Sequence, residues 1–332
     1  MGGGRVGDTA KRRGMKSVFV LLALALAAMA QPPEDAPSFK VDVRLVRVLT
    51  TVKDPAGQPV GTLQKDDFQI IDNGVPQELA VFDRYTEQPL SVSLLVDTSA
   101  STARELRYEL DSALRFVKSL FGEGNPDDAL SLYSFNYAVT LQSSFTRRAA
   151  RIEQELKSLR PTGGTSLYDA IYWASQNLED RPGRHALIIV TDGGDTTSVK
   201  NFHQALEAAH LADAVIYSIL VMPITNDAGR NIGGENALAT MAARTGGRVF
   251  APSVGPALDD AFSEILRDLR TQYLLGFYPK NVPPSKDRFH RLEIKLNRPG
   301  LQVQARNGYY GDSATSTGSW EPQRGPKRSD RP

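Results

Sequence analysis

The chain has no cysteine in 332 residues. That absence excludes a disulfide framework, a thiolate metal site and a lipid-modified cysteine, so the folded parts depend on their apolar cores alone. Histidine is sparse too. His185, His203, His210 and His290 lie in no recognisable metal spacing or nucleophile motif. No P-loop occurs, so nothing points to nucleotide hydrolysis. The formal net charge is only +1, with both signs dispersed along the chain, which gives no reason to propose a nucleic-acid partner. The apolar run VFVLLALALAAMA is too short, and too soon followed by QPPEDAP, for a stable membrane span of about 20 residues.

What that run does resemble is a leader. Lys11, Arg12, Arg13 and Lys16 precede it, and Ala28-Met29-Ala30 forms a small-x-small cleavage site before Gln31. Residues 1–30 therefore read as a secretory signal peptide, with an uncleaved anchor as the alternative. Met15 is an alternative start, because MKSVFVLL is a complete leader by itself. GGGRVG at 2–7 fits a dinucleotide-binding spacing formally, but no strand precedes it and processing would remove it. The expected location is extracytoplasmic, either periplasmic or secreted.

Apolar residues make up 41% of the chain, enough for a real core, and the length exceeds one typical domain. Residues 37–87 read as β: the alternation from Phe39 changes phase at Val46 and Val48, and Asn73-Gly74 is a strong hairpin signal, with Leu79, Val81 and Phe82 expected as the return strand. From 90 to 270 the pattern becomes alternating strands and helices. ALSLYSF and AVTLQSSF are separated only by Asn136 and Tyr137, a connection too short for a parallel crossover, so one strand should be antiparallel. The expectation is a doubly wound, Rossmann-like α/β sheet of about six strands with one antiparallel edge strand. A smaller flanking β domain is expected beside it, in which residues 272–311 either pack with 37–87 or stand apart. Residues 312–332 are polar and Pro-containing, and read as a disordered tail.

The run SVSLLVDTSAST holds Asp97, Ser99 and Ser101 at alternate positions where an apolar strand gives way to a helix. Thr165 precedes a second helical pattern, and Asp192 follows the apolar strand ALIIVT. Magnesium takes about six oxygen ligands, keeps several waters and binds through one or two carboxylates, a demand that two Asp, two Ser and a Thr can meet. Ligands in open α/β sheets bind at the carboxyl ends of strands. Each residue also has a plain structural reading. Ser101 or Thr102, with Glu105 three residues beyond Thr102, could cap a helix; Thr165 could cap another; Asp192, Gly193 and Gly194 could be a turn. Asp195 could support the metal loop or lie in a solvated turn. It is the conjunction of three segments in order that favours the metal.

Residues 90–270 resemble the von Willebrand factor type A family with its metal-ion-dependent adhesion site, and the whole arrangement, including YLLGFYP and VQARNGYYG, looks like a bacterial group of related exported proteins. The resemblance implies direct ligation by Ser99, Ser101 and, in some states, Thr165, with Asp97 and Asp192 acting mainly through waters. It implies Mg2+, with Mn2+ or Ca2+ as alternatives, and a protein partner whose Asp or Glu carboxylate completes the coordination. The expected function is a metal-dependent protein-binding module for adhesion or scaffolding, not an enzyme. One alternative is a structural metal with binding through the β domain. Another is a magnesium-dependent phosphohydrolase, against which Ser99 stands where a second carboxylate belongs. The partner's identity and the oligomeric state are not readable from the sequence.

Overall fold

The computed structural model describes residues 1–2, 45–84, 88–122, 124–221, 231–253, 255–283 and 285–311. Residues 3–30 of the signal-peptide segment, the strand start at Phe39, residues 222–230 and the tail from 312 lie outside the described residues. Alternating apolar residues build the first strands, β1 (Val46–Lys53), β2 (Phe68–Asp72), β3 (Val75–Gln77) and β4 (Leu79–Arg84). Asn73 and Gly74 turn β2 into β3, both at positive φ (47° and 84°), the geometry an Asn-Gly hairpin requires. The return strand differs from the expectation. Only Val75–Gln77 pairs back onto β2, and Leu79 opens a strand in another sheet. Pro76 has no N–H to give a ladder, which confines β3 to a sheet edge, and the chain crosses to the second sheet at Glu78.

The central part alternates β5 (Leu90–Asp97), α1 (Leu106–Gly122), β6 (Ala129–Phe135), β7 (Val139–Thr146), α2 (Ala149–Ser158), α3 (Leu167–Glu179), β8 (Arg184–Thr191), α4 (Phe202–Leu211), β9 (Ala214–Leu220), α5 (Ile232–Thr245), β10 (Val249–Phe250) and α6 (Pro256–Arg270). The six strands lie in the order β10-β9-β8-β5-β6-β7. All neighbours are parallel except β7, which runs antiparallel to β6 at the edge. This is the expected Rossmann-like sheet. β5, β6, β8 and β9 are buried along their whole length, as near-continuous apolar strands covered on both faces must be. The pleat divides them: Val92, Leu94 and Val96 pack with α1 and α6 residues such as Phe116, Val117, Phe262 and Ile265. Leu95 faces the other way, among Leu167, Ile171, Ala205 and Leu238 of α3, α4 and α5.

After α6 the chain returns to β structure in β11 (Tyr273–Phe277), β12 (Phe289–Leu296), β13 (Gln302–Ala305) and β14 (Gly308–Tyr310). Two four-stranded sheets result, β13-β1-β11-β4 and β14-β12-β2-β3, each mixing strands from both sides of the central unit. Their inward residues share one apolar cluster that includes Val48, Phe68, Ile70, Tyr273, Phe277 and Leu292. No helix among the described residues is long and apolar enough to cross a membrane.

Candidate metal centre

Asp97 is the last residue of β5, and its carboxylate is held from two strands at once. The Ser99 N–H donates to Oδ1 at 2.8 Å. The hydroxyl of Thr191, the last residue of neighbouring β8, donates to Oδ2 at 2.6 Å and itself accepts from the Gly193 N–H at 3.1 Å. The Ser99 and Ser101 hydroxyls stand 3.0 Å apart, the first buried and the second exposed. Thr102 does not cap α1. A 3₁₀ turn at Ala100–Thr102 intervenes, and the Thr102 hydroxyl donates to the Asp97 and Ser99 carbonyls, fastening the loop onto its strand.

Thr165 lies in a loop tied to the same edge. The Thr162 N–H donates to the Thr98 carbonyl at 2.8 Å, and the Ser166 N–H donates to the Asn136 carbonyl at 2.6 Å. Gly164, at φ 76°, lets this loop press on Tyr137, since a β-carbon there would come within 2.9 Å of the tyrosine Cβ. Thr165 does not cap α3, the alternative its position allowed: Ser166 takes the cap position without a capping bond, and its hydroxyl meets that of Thr197 at 2.8 Å. Asp195 supplies the acceptor instead, from the Tyr168 N–H at 3.2 Å and the Ser198 hydroxyl at 2.6 Å. Asp195 thus joins the loop after β8 to the start of α3, which follows Thr165 directly.

Asp192 follows Thr191 and is partly exposed. Its loop is clamped by α5, where Gly234 packs so closely that a β-carbon would strike the Gly193 carbonyl, and where Asn231 accepts from the Gly234 N–H. Burial pushes the Asp97 carboxyl up to about 6, opposed by its bonds to Thr191 and Ser99 and reinforced by the charge of Asp192. Among the described residues no Lys or Arg pairs with either aspartate. Nor do three or more His, Cys, Asp or Glu converge anywhere among those residues. A cation at this edge would therefore rest on two carboxylates plus hydroxyl and water oxygens, the donor set a hard ion such as magnesium accepts. The residues present fit such an ion.

Two groups here escaped the sequence reading. Thr191 gave no signal, being one more residue in a buried strand. Glu109 did give one: it occupies a position on the α1 stripe of Leu106, Ala113, Phe116, Val117 and Leu120 where an apolar residue belongs. It is 1% exposed, and neither carboxylate oxygen has a hydrogen-bond partner. The histidines are structural or solvated. The His185 ring lies between the Ala212 and Arg181 carbonyls, and His290 bonds Asp72.

Residues 92–194 match the family model of the von Willebrand factor type A domain. The chain is similar in structure to the von Willebrand factor domain of the type V pili tip protein Mfa5 from Porphyromonas gingivalis, at 16% identity over 55% of this chain and 96% of that one, with a TM-score of 0.46. It is similar also to the PilB minor pilin from Streptococcus sanguinis (14% identity, 56% of this chain and 62% of that one, TM-score 0.43). A third similarity is to the conserved hypothetical protein BatB from Bacteroides thetaiotaomicron (20%, 55% and 100%, TM-score 0.42). No curated protein matches the chain.

Proposed function

We propose, for a chain carrying a von Willebrand factor type A domain over residues 92–194, that it is an exported protein-binding module whose edge at Asp97 holds a divalent cation, magnesium by preference, and that a carboxylate of the partner protein completes the ion's coordination. The observation that carries the reading is the buried Asp97, fixed by Ser99 and Thr191, sharing its edge with Asp192 and with no cation among the described residues to neutralise either. Ser99, Ser101 and Thr165 would hold the ion through hydroxyl oxygens, with Asp97 and Asp192 acting mainly through its waters. Neutral hydroxyls leave the ion electrophilic, and that is the chemistry it supplies: an open position for an external acidic group. The export part of the reading rests on residues 11–30. The reading is non-catalytic: the hydroxyl that bonds Asp97, that of Thr191, is fully buried and also accepts from the Gly193 N–H, out of reach of a substrate.

Calorimetric titration of magnesium into the chain without its leader, beside a Ser99→Ala, Ser101→Ala double variant, tests the cation. One saturable site, lost in the variant, is the expected result. Absence of binding in both proteins would refute the metal site and turn attention to the β sheets. Capture of peptides bearing Asp or Glu, with and without chelator, then tests the partner.

A further inference from the structure

We propose that Glu109 belongs to the cation site as an inner carboxylate, placed behind Asp97 on α1 to accept hydrogen bonds from the waters of the bound ion. The inference rests on the cation reading above. It stands first on burial without partners. A carboxyl group taken out of water needs hydrogen bonds, and leaving it without any is among the costliest things a core can contain. Glu109 is 1% exposed with both oxygens unpartnered, while its neighbours along the buried stripe of α1 are Leu106, Ser112, Ala113 and Phe116. Packing alone would favour a leucine there.

The second observation is direction. α1 begins five residues after Ser101, so its first turns lie close to the end of β5, and Leu106 belongs to the same apolar cluster as Val96 next to Asp97. The charges that bear on Glu109 after its burial are those of Asp97, Glu105 and Asp192, in that order. The group therefore lies within electrostatic reach of the two carboxylates of the edge. Without an ion, burial and then the charge of Asp97 push the Glu109 carboxyl well above its ordinary value. With an ion whose waters donate outward, the same arrangement is complementary: each water proton needs an acceptor, and Glu109 has two free ones. Acceptors placed behind the ligands in this way typically change metal affinity 10- to 100-fold when removed.

The test uses Mn2+ as probe, its free concentration followed by electron paramagnetic resonance and its bound waters by proton relaxation. Four proteins without the leader are compared: wild type, Glu109→Gln, Glu109→Asp, and the Ser99→Ala, Ser101→Ala variant. Glu109→Gln keeps the shape while weakening the acceptor. The expected result is a Kd at least 10-fold higher, an altered relaxation enhancement of the remaining bound ion, and a metal-free melting temperature no lower than wild type. Glu109→Asp withdraws the carboxylate by one methylene while retaining it, and an intermediate Kd is expected, which keeps the question answerable if the glutamine variant folds poorly. Equal affinity in wild type and both Glu109 variants, with binding lost in the serine variant, would overturn this inference and leave the cation site standing. No binding by wild type would overturn both.

Discussion

At the scale of single residues, the sign of the Asp97 shift fixes a pH dependence. Its ordinary pKa is 3.8 and burial raises it to about 6 in the folded, ion-free chain. The folded state thus holds that proton more tightly than the unfolded chain, so the contribution is fully present below about pH 4 and is lost as pH rises through about 6. Between these pH values the ion-free protein should lose on the order of 3 kcal/mol from this one group, at about 1.4 kcal/mol per pH unit. Asp97→Asn removes the charge while its amide oxygen can still accept from the Ser99 N–H. In chelator, the variant should gain melting temperature on wild type as pH is raised from 4 to 7, and the gap should close again at pH 4. Adding magnesium should stabilise only wild type near pH 7. A gap independent of pH would mean that Asp97 is not the group being relieved.

At the scale of elements, the three loops of the edge are coupled through backbone acceptors. Asp195 holds the start of α3, and Asp169 of that helix accepts in return from the Val199 and Lys200 N–H groups at 3.0 and 2.7 Å. Asp195→Ala should cost roughly 1 kcal/mol, the usual worth of a lost helix cap, and should also weaken magnesium binding, because the Thr165 loop runs directly into that helix. Melting and titration of the same variant check both; a loss of stability with unchanged affinity would confine Asp195 to the helix. Much of this architecture was legible beforehand. The largely apolar run ending at Asp97, the two-residue link at Asn136 and the helical spacing after Ser101 each have one local cause, and strand, antiparallel edge and α1 follow. The return strand after Asn73-Gly74 was not legible, because Val75 and Leu79 look equally strand-like and only the pairing partner distinguishes them. Thr191 was unreadable for a related reason, since it acts on Asp97 in a distant strand, and Asp195 was readable only as either a support of the metal loop or a turn residue, because its partner Tyr168 lies in another segment. Glu109 stood in plain view as a charge in an apolar stripe, and what it faces is a property of the fold.

At the scale of the whole molecule, the β sheets and the α/β unit are joined through buried charge. Asp268 of α6, with a side chain 2% exposed, accepts from Lys53 of β1 at 3.0 Å and from Arg248, just before β10, at 2.9 Å. Two residues after α6 ends, the chain enters β11, which lies between β1 and β4 in its sheet, so one carboxylate joins the first described strand to the helix that leads into its partner. Lys53 is itself nearly buried, and removing the acid takes away the counter-charge its ammonium pairs with at 2.9 Å. Breaking a buried pair from one side costs about 3–5 kcal/mol. Asp268→Ala should therefore lower the melting temperature by roughly 6–20 °C at neutral pH, given about 2–4 °C per kcal/mol for a domain of 150–250 residues. Asp268→Ala combined with Lys53→Met, which removes the stranded charge as well, should recover a substantial part of the loss. Hydrogen exchange locates the effect: if the triad holds the sheets to the helix, β1 and β11 should lose protection together while β5 and β8 keep theirs. Equal loss across all four strands would mean instead that the sheets and the α/β unit unfold as one, and that the charge stabilises the molecule without marking a seam in it.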